Sequence, residues 1–113
     1  MRTWITQLRK GLVELCVLNL LAKGESYGYE IVRRLKAIEE LAVTESTVYP
    51  VLTRLRTDGY VKVRSARSTG GPPRRYFSLT APGKSRVRGM NDYWQELDGA
   101  IDRLRGNSRT EGD

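Results

Sequence analysis

The sequence contains no histidine and only one cysteine, Cys16, among its 113 residues. The absence of histidine removes the commonest general base and any Ser-His or Cys-His nucleophile pair. One cysteine cannot form an internal disulfide or a cysteine-based zinc site, and the apolar run LVELCVLNLL around Cys16 indicates a small buried hydrophobe. We therefore expect a protein that is not an enzyme and that carries no metal site and no cofactor.

Long apolar runs are absent as well. No stretch approaches the ~20 apolar residues that a membrane span needs, and the opening residues Met1-Arg2-Thr3-Trp4 do not begin a signal-peptide pattern. These absences predict a cytoplasmic protein. The length fits one domain with a modest core, and the polar residues 106–113 are expected to form a flexible tail outside it.

Positive charge is concentrated in the middle of the chain. The net charge is +7, but residues 1–53 hold seven Lys or Arg against six Asp or Glu, residues 54–88 hold ten against one, and residues 89–113 hold three against six. The middle segment therefore carries the whole excess. Such a local field attracts polyanions, which indicates nucleic acid or an anionic membrane surface as the partner.

Two helices are predicted before the charged segment. The first spans residues 6–22 and is apolar on more than one side, which is typical of a buried helix. Asn19 falls on its apolar seam, where it can either set the register of a helix pair or act as a satisfied internal amide. The second spans residues 27–39 with Ser26 as its cap, and Gly28 suggests a close backbone approach. Its expected inward face is Tyr27, Ile31, Leu35 and Ile38.

A third helix is predicted over residues 44–58. Thr44 is a suitable N-cap, Asp58-Gly59 is a suitable end, and Val48, Val51, Leu52 and Leu55 recur at helical spacing. Pro50 lies about six positions past the cap, where it removes one helical hydrogen bond and is expected to bend or loosen the first turn. A start near Tyr49, with Pro50 at the first helical position, remains an alternative.

The hydrophobic period then changes from 3.6 to 2. Residues 60–64 and 75–79 alternate apolar and polar side chains, which predicts an antiparallel hairpin around the basic loop SARSTGGPPR, residues 65–74. Thr80 then caps a last helix that begins at Ala81-Pro82. The apolar seam of that helix is Val87, Met90, Trp94, Leu97, Ile101 and Leu104. This a/d pattern favours packing against a partner chain over packing on the domain's own core.

Three helices followed by a hairpin with a basic loop are the order of a winged helix-turn-helix, α+β but mainly α, here with an added C-terminal helix. In such a module the third helix enters the major groove of DNA and the hairpin loop, or wing, reaches the adjacent backbone. The expected DNA contacts are Glu45, Ser46, Thr47, Tyr49, Arg54, Arg67, Arg74 and Arg75. Tyr49 can equally be a core tyrosine, and Arg54 can belong to a solvated helix face.

Three motifs in this order resemble the PadR family of transcriptional regulators, and in particular its short subfamily with a single C-terminal helix. They are YGYEIVRRL (27–35), TESTVYPVLTRLRTDGYV (44–61) and GGPPRRYFSLTAPGK (70–84). Thr47, Tyr49 and Pro50 match the family's recognition-helix motif. Glu45 and Ser46 stand where many relatives have proline and glycine, so the family's cap geometry does not carry over to them.

The resemblance implies a homodimeric repressor in which residues 1–80 form the DNA-binding domain and residues 81–105 form the dimerisation helix. The implied interface is Leu8, Leu12, Leu15, Val87, Met90, Trp94, Leu97, Ile101 and Leu104. Several short members of the family also bind flat aromatic compounds between the last helices, which implies a ligand role for Tyr93 and Trp94, although Trp94 can be a plain interface anchor. Two rival hypotheses are a winged-helix protein-interaction module and a small-molecule sensor without sequence-specific DNA binding.

Overall fold

The computed structural model of the chain describes residues 2–68 and 70–106, and within these it contains four α-helices and a three-stranded sheet. The elements are α1 (Arg2–Ala22), β1 (Ser26–Tyr27), α2 (Gly28–Lys36), α3 (Glu45–Thr57), β2 (Val61–Ser68), β3 (Gly71–Leu79) and α4 (Ala81–Leu104), with a short 3-10 turn at Glu39–Leu41. This is the predicted winged helix-turn-helix followed by one long helix. Apart from Gly106, the predicted flexible tail lies outside the described residues.

One hydrophobic core joins α1, α2, α3 and the inner face of the sheet. Its fully buried members include Val17 and Leu18 from α1, Ile31 from α2, and Leu52 and Leu55 from α3. Cys16 is only half-buried at the edge of this core. Burial raises the pKa of the Cys16 thiol, which keeps it in its uncharged form.

The prediction for the second helix was wrong at both ends. Ser26 does not cap the helix, because it lies in β1 opposite Phe77 and its hydroxyl donates to Glu30 Oε1 at 2.8 Å. The helix begins at Gly28 after an extended Tyr27 and ends at Lys36. Ile38 lies beyond that end and is 48% exposed, so it does not belong to the inward face.

The wing is longer than predicted, and most of the predicted loop is strand. β3 lies between β1 and β2, and its pairing with β2 extends to Ala66↔Arg74 before an irregularity that ends at Ser68↔Gly71. Pro72 and Pro73 fit in β3 because β1 pairs only with Tyr76 and Phe77, which leaves the proline end of the strand open on that side.

The recognition helix of the winged fold, α3, follows the first of the two alternatives. Thr44 is its N-cap residue and Pro50 lies inside it, so the alternative start near Tyr49 is wrong. The C-terminal end is as predicted: the N–H of Asp58 donates to Arg54 O at 2.9 Å, and Gly59 adopts a positive φ of 86°.

Helix α4 is tied at its start to the turn that ends α3. Thr80 Oγ1 accepts from Gly83 N at 3.1 Å, as a capping residue should, and donates to Gly59 O at 2.6 Å. The N–H of Thr80 also donates to Tyr60 O at 3.1 Å. Gly83 packs so closely there that an added Cβ would lie 2.0 Å from Tyr60 O. The first turn of α4 and the Gly59-Tyr60 turn therefore move as one unit.

The apolar seam of α4 divides into two parts. Val87 is buried and Met90 is half-buried, but the rest of the seam is exposed to solvent: Trp94 40%, Leu97 37%, Ile101 44% and Leu104 88%. On α1, Leu8 is 53% exposed and Leu12 and Leu15 are half-buried. Packing within the same chain thus covers only the start of the seam.

Asn19 is a satisfied internal amide. It donates to Leu15 O at 2.9 Å and to Asn91 Oδ1 at 3.0 Å, and it accepts from Asn91 Nδ2 at 2.8 Å. This reciprocal pair also fixes α4 against α1, because each amide finds its partner only at this register.

No helix among the described residues is long and apolar enough to cross a membrane. Within residues 2–68 and 70–106 there is also no group of three or more acidic, cysteine or histidine side chains that could hold a metal ion.

Candidate nucleic-acid interface

The N-terminus of α3 presents a cluster of hydroxyl groups. Thr44 Oγ1 shares hydrogen bonds with Ser46 Oγ at 2.9 Å and with Thr47 Oγ1 at 3.2 Å, and it makes no side-chain bond to a backbone N–H. Glu45 and Ser46 are exposed and Thr47 is half-buried. Because the first-turn N–H groups of a helix lack intrahelical partners, this end offers backbone donors beside the hydroxyls.

Tyr49 is both a packing residue and an exposed one. Its side chain is 41% exposed, yet its ring lies so close to Gly28 that an added Cβ there would be 3.0 Å from Tyr49 Cε1. The close backbone approach predicted at Gly28 is therefore confirmed, with the Tyr49 ring as the neighbour. Tyr49 is therefore a surface residue that packs beside Gly28 and not a core tyrosine, and its contact with DNA stays a prediction.

A cleft of about 710 Å³ separates α3 from the wing. Its floor includes Leu52 and Phe77, and its rim carries the polar and charged groups. The residues that line it are Tyr27, Gly28, Tyr29, Tyr49, Leu52, Thr53, Arg56, Thr57, Pro73, Arg74, Arg75 and Phe77. An open cleft with three arginines and three tyrosines at its rim is suited to a polyanion that enters between the helix and the wing.

Arg74 and Arg75 lie on opposite faces of β3. Arg74 stacks on the Tyr27 ring at 4.4 Å from its centroid, on the outer face of the sheet. Arg75 lies over Phe77 at 5.8 Å, on the face that packs towards the helices. Stacking holds the planar guanidinium of Arg74 in one orientation while leaving its N–H groups available, which is a useful arrangement for a phosphate ligand.

The base of the wing is fixed by a second stacked arginine. Arg64 lies over the Tyr76 ring at 4.8 Å and donates from Nε to Glu25 Oε2 at 3.0 Å. The hydrogen bonds that Arg64 donates lower the pKa of Glu25. Tyr76 in turn packs edge-on against Tyr27 at 5.6 Å. The stack runs continuously from Arg64 to Arg74, so the outer face of the wing is pre-ordered.

The structure does not bring Arg54 to the cleft. Arg54 Nη2 lies 3.0 Å from Glu14 Oε1, and the same carboxylate accepts from Arg86 Nε at 2.6 Å. Arg54 is therefore held by Glu14 away from the cleft lining, and we do not retain Arg54 as a DNA contact. Glu14 sits 40 positions earlier in the sequence, on α1, so no local pattern indicated this pairing.

Arg56 takes the place that the sequence analysis gave to Arg54. It is exposed and lines the cleft together with Tyr49 and Thr53. The signal was present in the sequence, because steps of four and three from Tyr49 place these residues on one helix face. Arg67 is exposed on β2, next to the irregularity in the wing.

A second, mostly apolar groove of about 470 Å³ lies between α1, α2 and α4. Trp94, Ile38 and Cys16 line it, and Asn19 and Asn91 lie at its edge. Tyr93 is 62% exposed on the adjacent surface. Together with the exposed end of the α4 seam, this groove forms a larger apolar area than isolated surface side chains produce.

Comparison with known proteins agrees with this arrangement. The model of the transcriptional regulator PadR-like family matches residues 17–89, from the last part of α1 to the third turn of α4. The chain belongs to the PadR-like family of transcriptional regulators. The matched residues include the recognition helix, the wing and the start of α4.

Solved structures extend the likeness of this PadR-like regulator beyond that unit. A PadR-like transcription factor from Bacteroides fragilis is 38% identical, with 88% of this chain and 95% of that chain covered and a TM-score of 0.75. A PadR family regulator from Eggerthella lenta is 27% identical, with 96% and 92% covered and a TM-score of 0.81. The fold prediction, a winged helix with an added C-terminal helix, is confirmed.

One structural relative is described with nucleic acid. Bacillus subtilis PadR in complex with operator DNA is 29% identical, covers 70% of this chain and 46% of its own, and has a TM-score of 0.62. This PadR-like regulator thus spans under half of that longer chain.

Proposed function

We propose that this PadR-like regulator is a homodimeric, cytoplasmic repressor that binds double-stranded DNA through α3 and the wing. The observation that carries the proposal is the cleft between them, which Arg56, Arg74 and Arg75 line. Phosphate contacts from the arginines would position the protein, and Glu45, Ser46 and Thr47 would face base edges. With no histidine in the chain, we propose binding rather than catalysis.

In this proposal, DNA binding and dimerisation belong to successive parts of the chain. Residues 1–80 would form the reading head, and residues 81–105 would form the dimerisation helix. Trp94, Leu97 and Ile101 on the exposed seam would meet the same seam and the α1 leucines of a second copy. A two-fold dimer would then present two recognition helices to half-sites about one helical turn or a little more apart.

Removing charge from the wing tests the phosphate contacts. We expect Arg75→Gln and Arg74→Gln each to weaken binding to all duplexes and to flatten the dependence of log affinity on log salt by about one counterion. The measurement is fluorescence anisotropy over a range of salt concentrations. Arg103→Gln at the far end of α4 removes the same charge as a control and should leave the slope unchanged. An unaltered slope in both wing variants would reject the contacts.

We further propose that a flat aromatic compound binds at the two-fold axis by stacking on Trp94, beside Tyr93. The supporting observation is a half-exposed indole at the mouth of an apolar groove. Such a ligand would alter operator affinity only if it bound one arrangement of the two reading heads better than another.

Tryptophan fluorescence tests the ligand. In a Trp4→Phe variant Trp94 is the only tryptophan, so its emission reports this site alone. We expect some members of a panel of planar drugs and phenolic acids to quench it saturably. Emission that stays constant across a broad panel would leave Trp94 as an interface anchor.

A further inference from the structure

The carboxylate of Glu14 links three helices, α1, α3 and α4, and we call Glu14 with its partners Arg54 and Arg86 the hub. Its Oε1 holds Arg54 of α3 at 3.0 Å and its Oε2 accepts from Arg86 of α4 at 2.6 Å. The Glu14 side chain is only 13% exposed, against 49% for Arg54 and 36% for Arg86. Each oxygen of this partly buried carboxylate therefore binds a different helix.

The charged form of Glu14 is maintained against burial. Burial alone would raise the pKa of Glu14, but the hydrogen bonds from Arg86 and Arg54 outweigh it and hold the pKa below its ordinary value of 4.5. Charge-assisted hydrogen bonds of this kind are strong and directional, and breaking one side leaves a poorly solvated charge. The geometry of the three side chains is thus tightly specified.

Arg86 is positioned from a second side. Its guanidinium lies over the Tyr60 ring at 4.4 Å, and Nη1 donates to the Tyr60 hydroxyl at 3.3 Å. Tyr60 belongs to the turn that Thr80 and Gly83 tie to the start of α4. The connection between α3 and α4 therefore has two separate attachments, the turn and the Glu14 carboxylate.

Two attachments restrict motion that one would allow. The Gly59-Tyr60 turn and the apolar core contacts of Leu52 and Leu55 hold α3, but apolar packing is not directional and does not by itself fix the rotation of α3 relative to α4. The bond from Arg54, in the last part of α3, through Glu14 to Arg86 opposes that rotation. Contiguous packed and hydrogen-bonded groups of this kind can carry mechanical coupling between elements.

We infer that Glu14 is a positioning residue that fixes the direction of the recognition helix relative to α4, and so sets the spacing of half-sites that the dimer accepts. The inference rests on the proposed dimeric DNA binding. In a two-fold dimer any rotation of α3 against α4 is repeated in the second copy, and one base pair of spacing is only about 3.4 Å. A loosened hub would therefore tolerate spacings that the native one rejects.

A spacer series tests this role. Wild type and Glu14→Gln are compared on duplexes with two half-sites whose separation changes by single base pairs. We expect the preference of wild type for its best spacing over the neighbouring ones to fall by about fivefold or more in the variant, the lower end of typical coupling between sites. Affinity for an isolated half-site should stay the same, because Glu14 lies outside the cleft.

Control variants separate positioning from general stability. Glu30→Gln removes the ion pair with Arg33 within α2, where neither residue lines the cleft, and should keep the wild-type spacing profile. Arg54→Gln removes one of the two arginines that Glu14 binds, at a half-exposed position, and should broaden the spacing profile as Glu14→Gln does. If Glu14→Gln does not fold, Arg54→Gln serves as the test variant.

A distance measurement tests the rotation of α3 relative to α4 without DNA. Nitroxide labels at Ser46→Cys in a Cys16→Ser background should give a narrow distance distribution between the two copies, and Glu14→Gln or Arg54→Gln should broaden it. An unchanged spacing profile with an unchanged distribution would overturn the role of Glu14 and leave the proposed function standing. Uniform weakening at every spacing would also overturn it. Failure of wild type to bind any duplex would remove both.

Discussion

Glutamate at both Leu97 and Ile101 is expected to make the protein monomeric and to lower its affinity for a two-half-site operator by about 10²–10⁴-fold, the usual gain from joining two binding modules. These side chains are 37% and 44% exposed and follow Trp94 along the same face of α4. Buried like charges across a two-fold axis would repel and would lose their water. Sedimentation velocity and operator titration measure the two effects.

The matched control places the same change of charge on the opposite face of α4. Gln95→Glu combined with Arg103→Gln also shifts the net charge by two units, and these positions lie at least a third of a turn away from Leu97. We expect this variant to remain dimeric and to bind the operator with nearly native affinity. If the Leu97/Ile101 variant stayed dimeric, the exposed seam would not be the dimer interface.

The second large effect is expected from Gly83→Ala. An added Cβ would lie 2.0 Å from Tyr60 O, a backbone atom that cannot turn away as a flexible side chain could. The start of α4 would have to move and would weaken the bonds from Thr80 to Gly59 and Tyr60. We expect a loss of about 3 kcal/mol in the free energy of unfolding, measured by urea denaturation at fixed protein concentration.

Gly89→Ala is the matched control for that substitution. Gly89 lies in the same helix, and an added Cβ would meet nothing within 4 Å. There the higher helix propensity of alanine should stabilise the protein by up to about 1 kcal/mol. Equal stability of the Gly83 variant and wild type would show that the junction between the reading head and α4 is loose.

Local signals in the sequence predicted the parts of the fold that local interactions determine. The Thr80 cap and the glycine end at Gly59 stand where the sequence placed them, because caps and turns act within a few residues. Thr44 also occupies the predicted N-cap position, but its side chain makes no capping bond. The periodic apolar residues of α4 identified one face of the helix. They did not distinguish the buried start of that face from its exposed end, because periodicity identifies a face without identifying what covers it.

Elements that depend on distant partners were the ones that the sequence analysis missed. β1 is two residues long and exists only because Ser26 and Tyr27 pair with β3, about fifty positions later. The wing strands extend through the Gly/Pro-rich segment because the edge beside Pro72 and Pro73 is open. Arg54 and Arg56 look alike in the sequence, and only the position of Glu14 on α1 separates an internal ion pair from a cleft residue.

Selecting bound duplexes from a random pool tests the central claim most directly, because it reports specificity, symmetry and spacing in one measurement. We predict enrichment of an inverted repeat whose half-site centres lie about one helical turn, 10 to 10.5 base pairs, or slightly more apart. Recovery of no preferred sequence, or of a single half-site without a symmetric mate, would contradict a two-fold dimer that reads DNA through α3 and the wing.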